Sequence, residues 1–231
     1  MAEKIILIDF AGTLVKAEII EEANVFRAKV LQKSLPKKEE HADPEIFYKI
    51  NRKFVEKLTG LKTDAKVKYR KNDLDFMELS GEDIQNQIST NLFQIGMFLV
   101  AKTYKQSIVP EGLIEQLQRI KYLGYKLAII SGGRTDIISG MLQIAEIPFE
   151  FDYIYGQPPK LGVKNQEADV KELRKKGLIK YSLGDKLSDL ERGKIEDCKS
   201  IFVTWGHPSG GEEEIADYTI AHPNELKLII N

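Results

Sequence analysis

The 231-residue sequence has one cysteine (Cys198), one tryptophan (Trp205) and three histidines (His41, His207 and His222). A single thiol excludes an internal disulfide framework and suits a reducing cytosol, so the chain must rely on a packed core. In Glu-Asp-Cys-Lys, Cys198 reads as a small, partly buried residue rather than a nucleophile. Histidines this far apart do not make a histidine metal site or a catalytic triad. No window approaches the ~20 apolar residues of a membrane-spanning helix. The N-terminal apolar run, Ile5 to Ile8, is too short for a secretion signal and ends on an acid. Neither sign of charge prevails: 34 Lys and Arg against 35 Asp and Glu leave a net charge of −1. No global field therefore points to nucleic acid or an anionic membrane. There is no repeat or low-complexity tract. The expectation is a soluble, cytoplasmic protein with neither nucleic acid nor a membrane as partner.

What the chain does have is 42% apolar residues, enough to bury one large domain or a domain with an insertion. Lys4-Ile-Ile-Leu-Ile-Asp9 is a continuous apolar run closed by an acid, the pattern of a strand covered on both faces. Further runs lie at Lys126 to Ser131, Tyr181 to Gly184 and Ser200 to Thr204, with a weaker one at Asp152 to Tyr155. Helical periodicity fills the intervals. Glu111 to Leu123 places Leu113, Ile114, Leu117 and Ile120 on one face, with Pro110 before it and Gly124 just past its end. Arg134 to Ala145 and Gln166 to Lys176 behave alike. Strand alternating with helix predicts an α/β fold, a Rossmann-like parallel sheet flanked by helices.

Residues 16–107 break that alternation. Glu21 to Gln32, Ile46 to Leu58 (entered through Asp43-Pro44 and stopped at Gly60) and Leu92 to Ala101 all carry helical stripes. We expect an all-helical domain there, inserted after the first strand, with residues 1–15 and 108–231 forming the core. Within it, Lys62 to Lys71 is a basic stretch in which Val67 and Tyr69 alternate, which reads as a solvated loop or edge.

Three short segments carry the chemistry. Asp9-Phe-Ala-Gly-Thr-Leu14 follows the first strand, so Asp9 sits outside the carboxyl end of the sheet, where open α/β folds bind ligands. Gly12 allows a tight turn whose backbone amides can approach an anion. Ile129-Ile-Ser-Gly-Gly133 ends the second core strand in a hydroxyl and two glycines, ahead of a helix whose N-terminal end favours anions. Tyr181-Ser-Leu-Gly-Asp-Lys-Leu-Ser-Asp189 brings two carboxylates, four residues apart, to the start of a helix, a pattern suited to a hard cation with oxygen ligands.

In this order the segments resemble the motifs of the haloacid dehalogenase superfamily of hydrolases. The likeness extends to Val109-Pro-Glu-Gly112 and to Ile215-Ala-Asp-Tyr-Thr-Ile220, so it covers both ends of the core and leaves the inserted helices unmatched. It implies a phosphatase-like reaction in which Asp9 attacks a phosphorylated small molecule and passes through an aspartyl-phosphate. It further implies Mg²⁺ held by Asp9, the carbonyl of Ala11 and Asp185, with Asp189 acting through water or a hydrogen bond. Ser131, Gly132 and Gly12 would receive the phosphate, and Thr13 would hydrogen-bond the loop or the phosphate. The phosphate lysine would be Lys164, where the next helix begins, or else Lys160 in Gln157-Pro-Pro-Lys160.

The sequence departs from that family at Ala11, where its phosphatases carry a second aspartate that protonates the departing alkoxide and later deprotonates the water that attacks the aspartyl-phosphate. Such assistance is worth about 10²–10⁴ in rate. Three readings stay open. The first is a hydrolase that is slow on ordinary esters, or one suited to acyl phosphates and other activated leaving groups. The second is carbon–phosphorus cleavage resembling phosphonoacetaldehyde hydrolases, which share the Asp-x-Ala form and use a cap lysine. The third is a phosphate- and Mg²⁺-binding regulatory module. Dehalogenation fits less well, because it needs no metal site.

Overall fold

The structure is a computed structural model, and it describes residues 2–33, 66–70, 76–157, 166–194 and 198–231. Six strands form one parallel sheet: β1 (Glu3–Ile8), β4 (Tyr125–Arg134), β5 (Tyr153–Gln157), β6 (Gly177–Gly184), β7 (Lys199–Val203) and β8 (Tyr218–Ile220). Their order across the sheet is β5-β4-β1-β6-β7-β8. The chain therefore steps outward from β1 to β4 and β5, then returns to the other side of β1 for β6, β7 and β8. That reversal puts a topological switch point between β1 and β6, where open α/β sheets leave a crevice beyond their carboxyl ends.

The apolar runs read from the sequence become the middle of this sheet. Ile5, Ile6, Leu7 and Ile8 are all at most 1% exposed, as are Leu127, Ala128, Ile129 and Ile130 beside them. Side chains alternate across a strand, so burial of successive residues requires cover on both faces. On one face Ile5, Leu7, Ala128 and Ile130 pack against Val170 and Leu173 of helix Gln166–Lys176. Each of the larger side chains contributes about 1.5–3 kcal/mol through removal from water. Helices Leu113–Tyr122, Thr135–Ile144 and Leu187–Lys194 supply further cover. The first starts two residues later than its periodicity suggests, because Gly112 turns the chain with φ of +80°.

The chain divides into two compact units, residues 1–21 with 98–231 and residues 22–97. The first holds the sheet. In the second, helix Ala17–Lys33 meets helix Gly81–Tyr104 closely: a Cβ on Gly96 would stand 3.0 Å from Phe26 and 3.1 Å from the carbonyl of Ala23. This unit is not purely helical, contrary to expectation. β2 (Lys66–Arg70) pairs antiparallel with β3 (Phe76–Ser80), so the alternation at Val67 and Tyr69 marks a strand. The helix expected at 46–58 lies outside the described residues. Among the described residues no helix is long and apolar enough to cross a membrane.

Candidate active site

The register of the sheet determines what meets at its carboxyl end. Ile8 of β1 pairs with Ile129 of β4 and Leu183 of β6. Asp9, one residue past Ile8, donates its backbone N–H to the Leu183 carbonyl at 2.9 Å. Asp185 follows two residues after Leu183 and Ser131 two after Ile129, so these residues leave neighbouring strands beside Asp9. Helix Leu187–Lys194 then returns Asp189 to the same place. Among the described residues, Asp9, Asp185 and Asp189 form one acidic cluster, each offering a carboxylate oxygen within 4.8 Å of the others.

The loop after β1 is built to bring Asp185 close. Phe10 accepts hydrogen bonds through its carbonyl from Leu14 N and Val15 N, and Gly12 N donates to the Val15 carbonyl at 2.8 Å. Gly12 has φ of +93°, and a Cβ there would lie 2.3 Å from Asp185 Oδ2. Glycine is required twice over, by backbone conformation and by contact. Thr13 is fully buried and donates Oγ1–H to Asp185 Oδ1 at 3.2 Å. Its hydroxyl therefore orients a carboxylate inside the site, a more specific part than the loop or phosphate bond expected from sequence. Trp205 Nε1 donates to the Thr13 carbonyl at 3.0 Å, which ties the loop to the segment after β7. His207 N donates to Asp185 Oδ2 at 2.8 Å.

Burial and crowding dominate the electrostatics. Burial pushes the Asp9 carboxyl well above the ordinary carboxylate range, and the charges of Asp189 and Asp185 push the same way, with Arg192 opposing. Asp189 is raised too, by burial first and by Asp185 next, again against Arg192. Crowded carboxylates, two of them buried and Asp9 partly so, that repel one another favour either a proton or a cation among them. Oxygen-only donors at this spacing suit a hard divalent ion such as Mg²⁺, so the residues present fit the cation that the sequence resemblance implies. The Cys198 thiol is pushed up to about 12, chiefly by burial, which agrees with a packing role.

At the end of β4, Ser131 is buried and its Oγ accepts from Gly133 N at 3.1 Å. The pairing of β4 with β5 is irregular between Ile130 and Arg134, so the Ser-Gly-Gly segment bulges out of the ladder. Gly132 is exposed, and helix Thr135–Ile144 begins directly after Arg134. Arg134 is held by Asp136, with Nε donating to Oδ1 at 3.0 Å. Lys160 and Lys164 both lie outside the described residues.

Arg192 is the site residue that sequence reasoning missed. Its Nη2 lies 2.7 Å from Asp189 Oδ1, with the two side chains 10% and 3% exposed. The signal available was the i,i+3 spacing from Asp189, which surface pairs share. The indole of Trp205 also lines a shallow groove with Lys16, Pro110 and His222.

No family model matches the chain. A phosphoglycolate phosphatase from Aquifex aeolicus is 29% identical over 123 residues, which are 50% of this chain and 56% of that protein. The match thus spans little more than half the length of that relative. A predicted phosphatase from Clostridium acetobutylicum has a similar structure, with a TM-score of 0.62 at 16% identity over 99% of this chain and 98% of that one. A haloacid dehalogenase-like family protein from Streptococcus pneumoniae gives a TM-score of 0.60 at 19% identity over 100% and 99%. A haloacid dehalogenase-type hydrolase from Bacillus subtilis, solved with magnesium bound, gives 0.57 at 16% identity over the full length of both chains. The fold is the one these structures share, as the sequence motifs lead one to expect.

Proposed function

We propose that this chain, built on the haloacid dehalogenase-like fold, is a Mg²⁺-dependent phosphohydrolase that captures a phosphoryl group from a small molecule on Asp9. The observation that carries the reading is the convergence of Asp9, Asp185 and Asp189 at the switch point of a parallel sheet. Asp9, the Ala11 carbonyl and Asp185 would hold the cation, with Asp189 alongside. Bound there, the ion supplies positive charge that offsets the repulsion between carboxylates and phosphate.

In the first step an Asp9 carboxylate oxygen forms a bond to phosphorus as the bond to the leaving group breaks, and that group departs with the electron pair. In the second, water adds to phosphorus, Asp9 leaves as a carboxylate, and inorganic phosphate takes up the balance of protons with solvent. Ser131, Gly132, Gly12 and Lys164 would hold the phosphate oxygens as these bonds change. The Ala11 methyl can neither give nor accept a proton. The substrate class that matches it is one whose leaving group departs unprotonated, such as an acyl phosphate or an activated ester.

A panel of alkyl phosphates, aryl phosphates, acetyl phosphate and phosphonoacetaldehyde, assayed with Mg²⁺ and with EDTA, tests this. Metal-dependent release of phosphate, fastest from acetyl phosphate and activated esters, is the expected pattern. Release from phosphonoacetaldehyde alone would assign carbon–phosphorus cleavage instead. Phosphate binding with no turnover of any compound would assign a regulatory module.

A further inference from the structure

Arg192 lies on helix Leu187–Lys194, one turn beyond Asp189 and on the same face. Beyond its 2.7 Å contact with Asp189 Oδ1, its Nη1 donates to the Ile130 carbonyl at 3.4 Å. The side chain is 10% exposed. A guanidinium withdrawn this far from water is stable only beside negative charge. Asp189 is engaged on both oxygens, since Oδ2 accepts from Lys186 N at 3.2 Å. With all three carboxylates ionised, as when a cation is bound among them, they and this guanidinium leave two negative charges, the charge that one divalent ion neutralises; Lys186 also acts on Asp189, less than Arg192 does.

We infer that Arg192 is a resident counter-ion of the cation site, which ties up Asp189 and thereby sets a weaker affinity for the divalent ion. The inference rests on the reading of Asp9 and Asp185 as cation ligands. In this arrangement the folded site tolerates loss of its cation, because the guanidinium stays in contact with the acids. The cation in turn meets a cluster already part-neutralised and is released more readily. Arg192 acts through Asp189 and through its charge, so it is a positioning residue.

Charge and packing predict opposite signs. If Arg192 only braces the helix against β4, replacing it loosens the site and weakens Mg²⁺ binding. If it is a counter-ion, replacing it by a neutral donor of similar reach strengthens binding. A unit charge removed from beside a divalent ion in a partly hydrated site is worth about tenfold in Kd. The test is calorimetric Mg²⁺ titration at fixed ionic strength of wild type, Arg192→Gln and Arg192→Lys, with thermal melts in EDTA and in saturating Mg²⁺. We expect Arg192→Gln to bind Mg²⁺ about tenfold more tightly and Arg192→Lys to stay near wild type. We also expect Arg192→Gln to melt lower in EDTA and to gain more from Mg²⁺ than wild type does. Unchanged or weaker binding by Arg192→Gln overturns the inference. So does a glutamine variant that fails to fold at any Mg²⁺ concentration while the lysine variant folds. A wild-type protein that binds no Mg²⁺ would overturn the cation reading itself, and this inference with it.

Discussion

Replacing Gly12 by alanine should be among the costliest single-methyl changes in the molecule, and the cost can be worked from its surroundings. The residue has φ of +93°, and the added Cβ would stand 2.3 Å from Asp185 Oδ2 and 2.7 Å from its Cγ. Asp185 has no easy retreat. Its oxygens accept from Thr13 Oγ1 at 3.2 Å and His207 N at 2.8 Å. From another side Gly206 lies so close that a Cβ on it would be 2.3 Å from Asp185 Cβ. Backbone strain at positive φ costs about 1–3 kcal/mol, and a displaced buried carboxylate that loses one hydrogen bond costs about 1–3 kcal/mol more. The total is about 2–6 kcal/mol, which for a chain of this length lowers Tm by about 4–24 °C. Gly124→Ala is the control, because Gly124 has φ of +86° with nothing within 4 Å of an added Cβ, so only the strain of about 1–3 kcal/mol applies. Urea denaturation of both variants in EDTA measures the difference. If Gly12→Ala costs no more than Gly124→Ala, the close approach to Asp185 carries no energy and the reasoning fails.

Ala11→Asp should raise hydrolysis of alkyl phosphates by about 10² or more and acetyl phosphate turnover by less, because the new carboxylate would assist the attacking water in both but protonate a leaving group only in the first; initial rates on both substrates decide it. Thr13→Val removes the hydroxyl that orients Asp185, and should cost about 1–2 kcal/mol in denaturant titration and weaken Mg²⁺ binding in the same calorimetry. Asp152 accepts from Lys121 at 2.7 Å, Lys126 at 2.9 Å and Leu127 N at 3.0 Å. Burial alone would raise its carboxyl, but these donors outweigh it and hold the group below its ordinary value. Its ionised form therefore stabilises the fold above the unfolded-state value of about 4, and that contribution is lost as pH falls through the lower folded-state value. Asp152→Asn should accordingly cost about 1–2 kcal/mol at pH 7 and progressively less below pH of about 4. A gap that persists unchanged in acid would contradict the assignment.

The core was legible because burial on both faces leaves unbroken apolar runs. Ile5 to Ile8 and Leu127 to Ile130 show this, and helix Gln166–Lys176 begins and ends where its periodicity and Gly177 place it. The β2–β3 pair was not read as strands, because Lys66, Lys68 and Arg70 alternate with only two apolar residues, and such a ribbon looks like a solvated loop. Asp9 and Asp185 could be found from sequence since each directly follows a buried strand. The bond from Thr13 to Asp185 joins residues 172 positions apart, and no local pattern announces it. Arg192 was hidden for the opposite reason: its partner is so near in sequence that the pair resembles ordinary helix-surface charge.

In the proposed reaction Asp9 itself takes the phosphoryl group. Acid quenching of the protein while it is incubated with acetyl phosphate and Mg²⁺, followed by borohydride reduction and peptide mapping by mass spectrometry, tests this. An aspartyl-phosphate would be recovered as homoserine at position 9, dependent on substrate and abolished by EDTA. Turnover with residue 9 still recovered as aspartate, or with the modification at another residue, would exclude Asp9 as the phosphoryl acceptor.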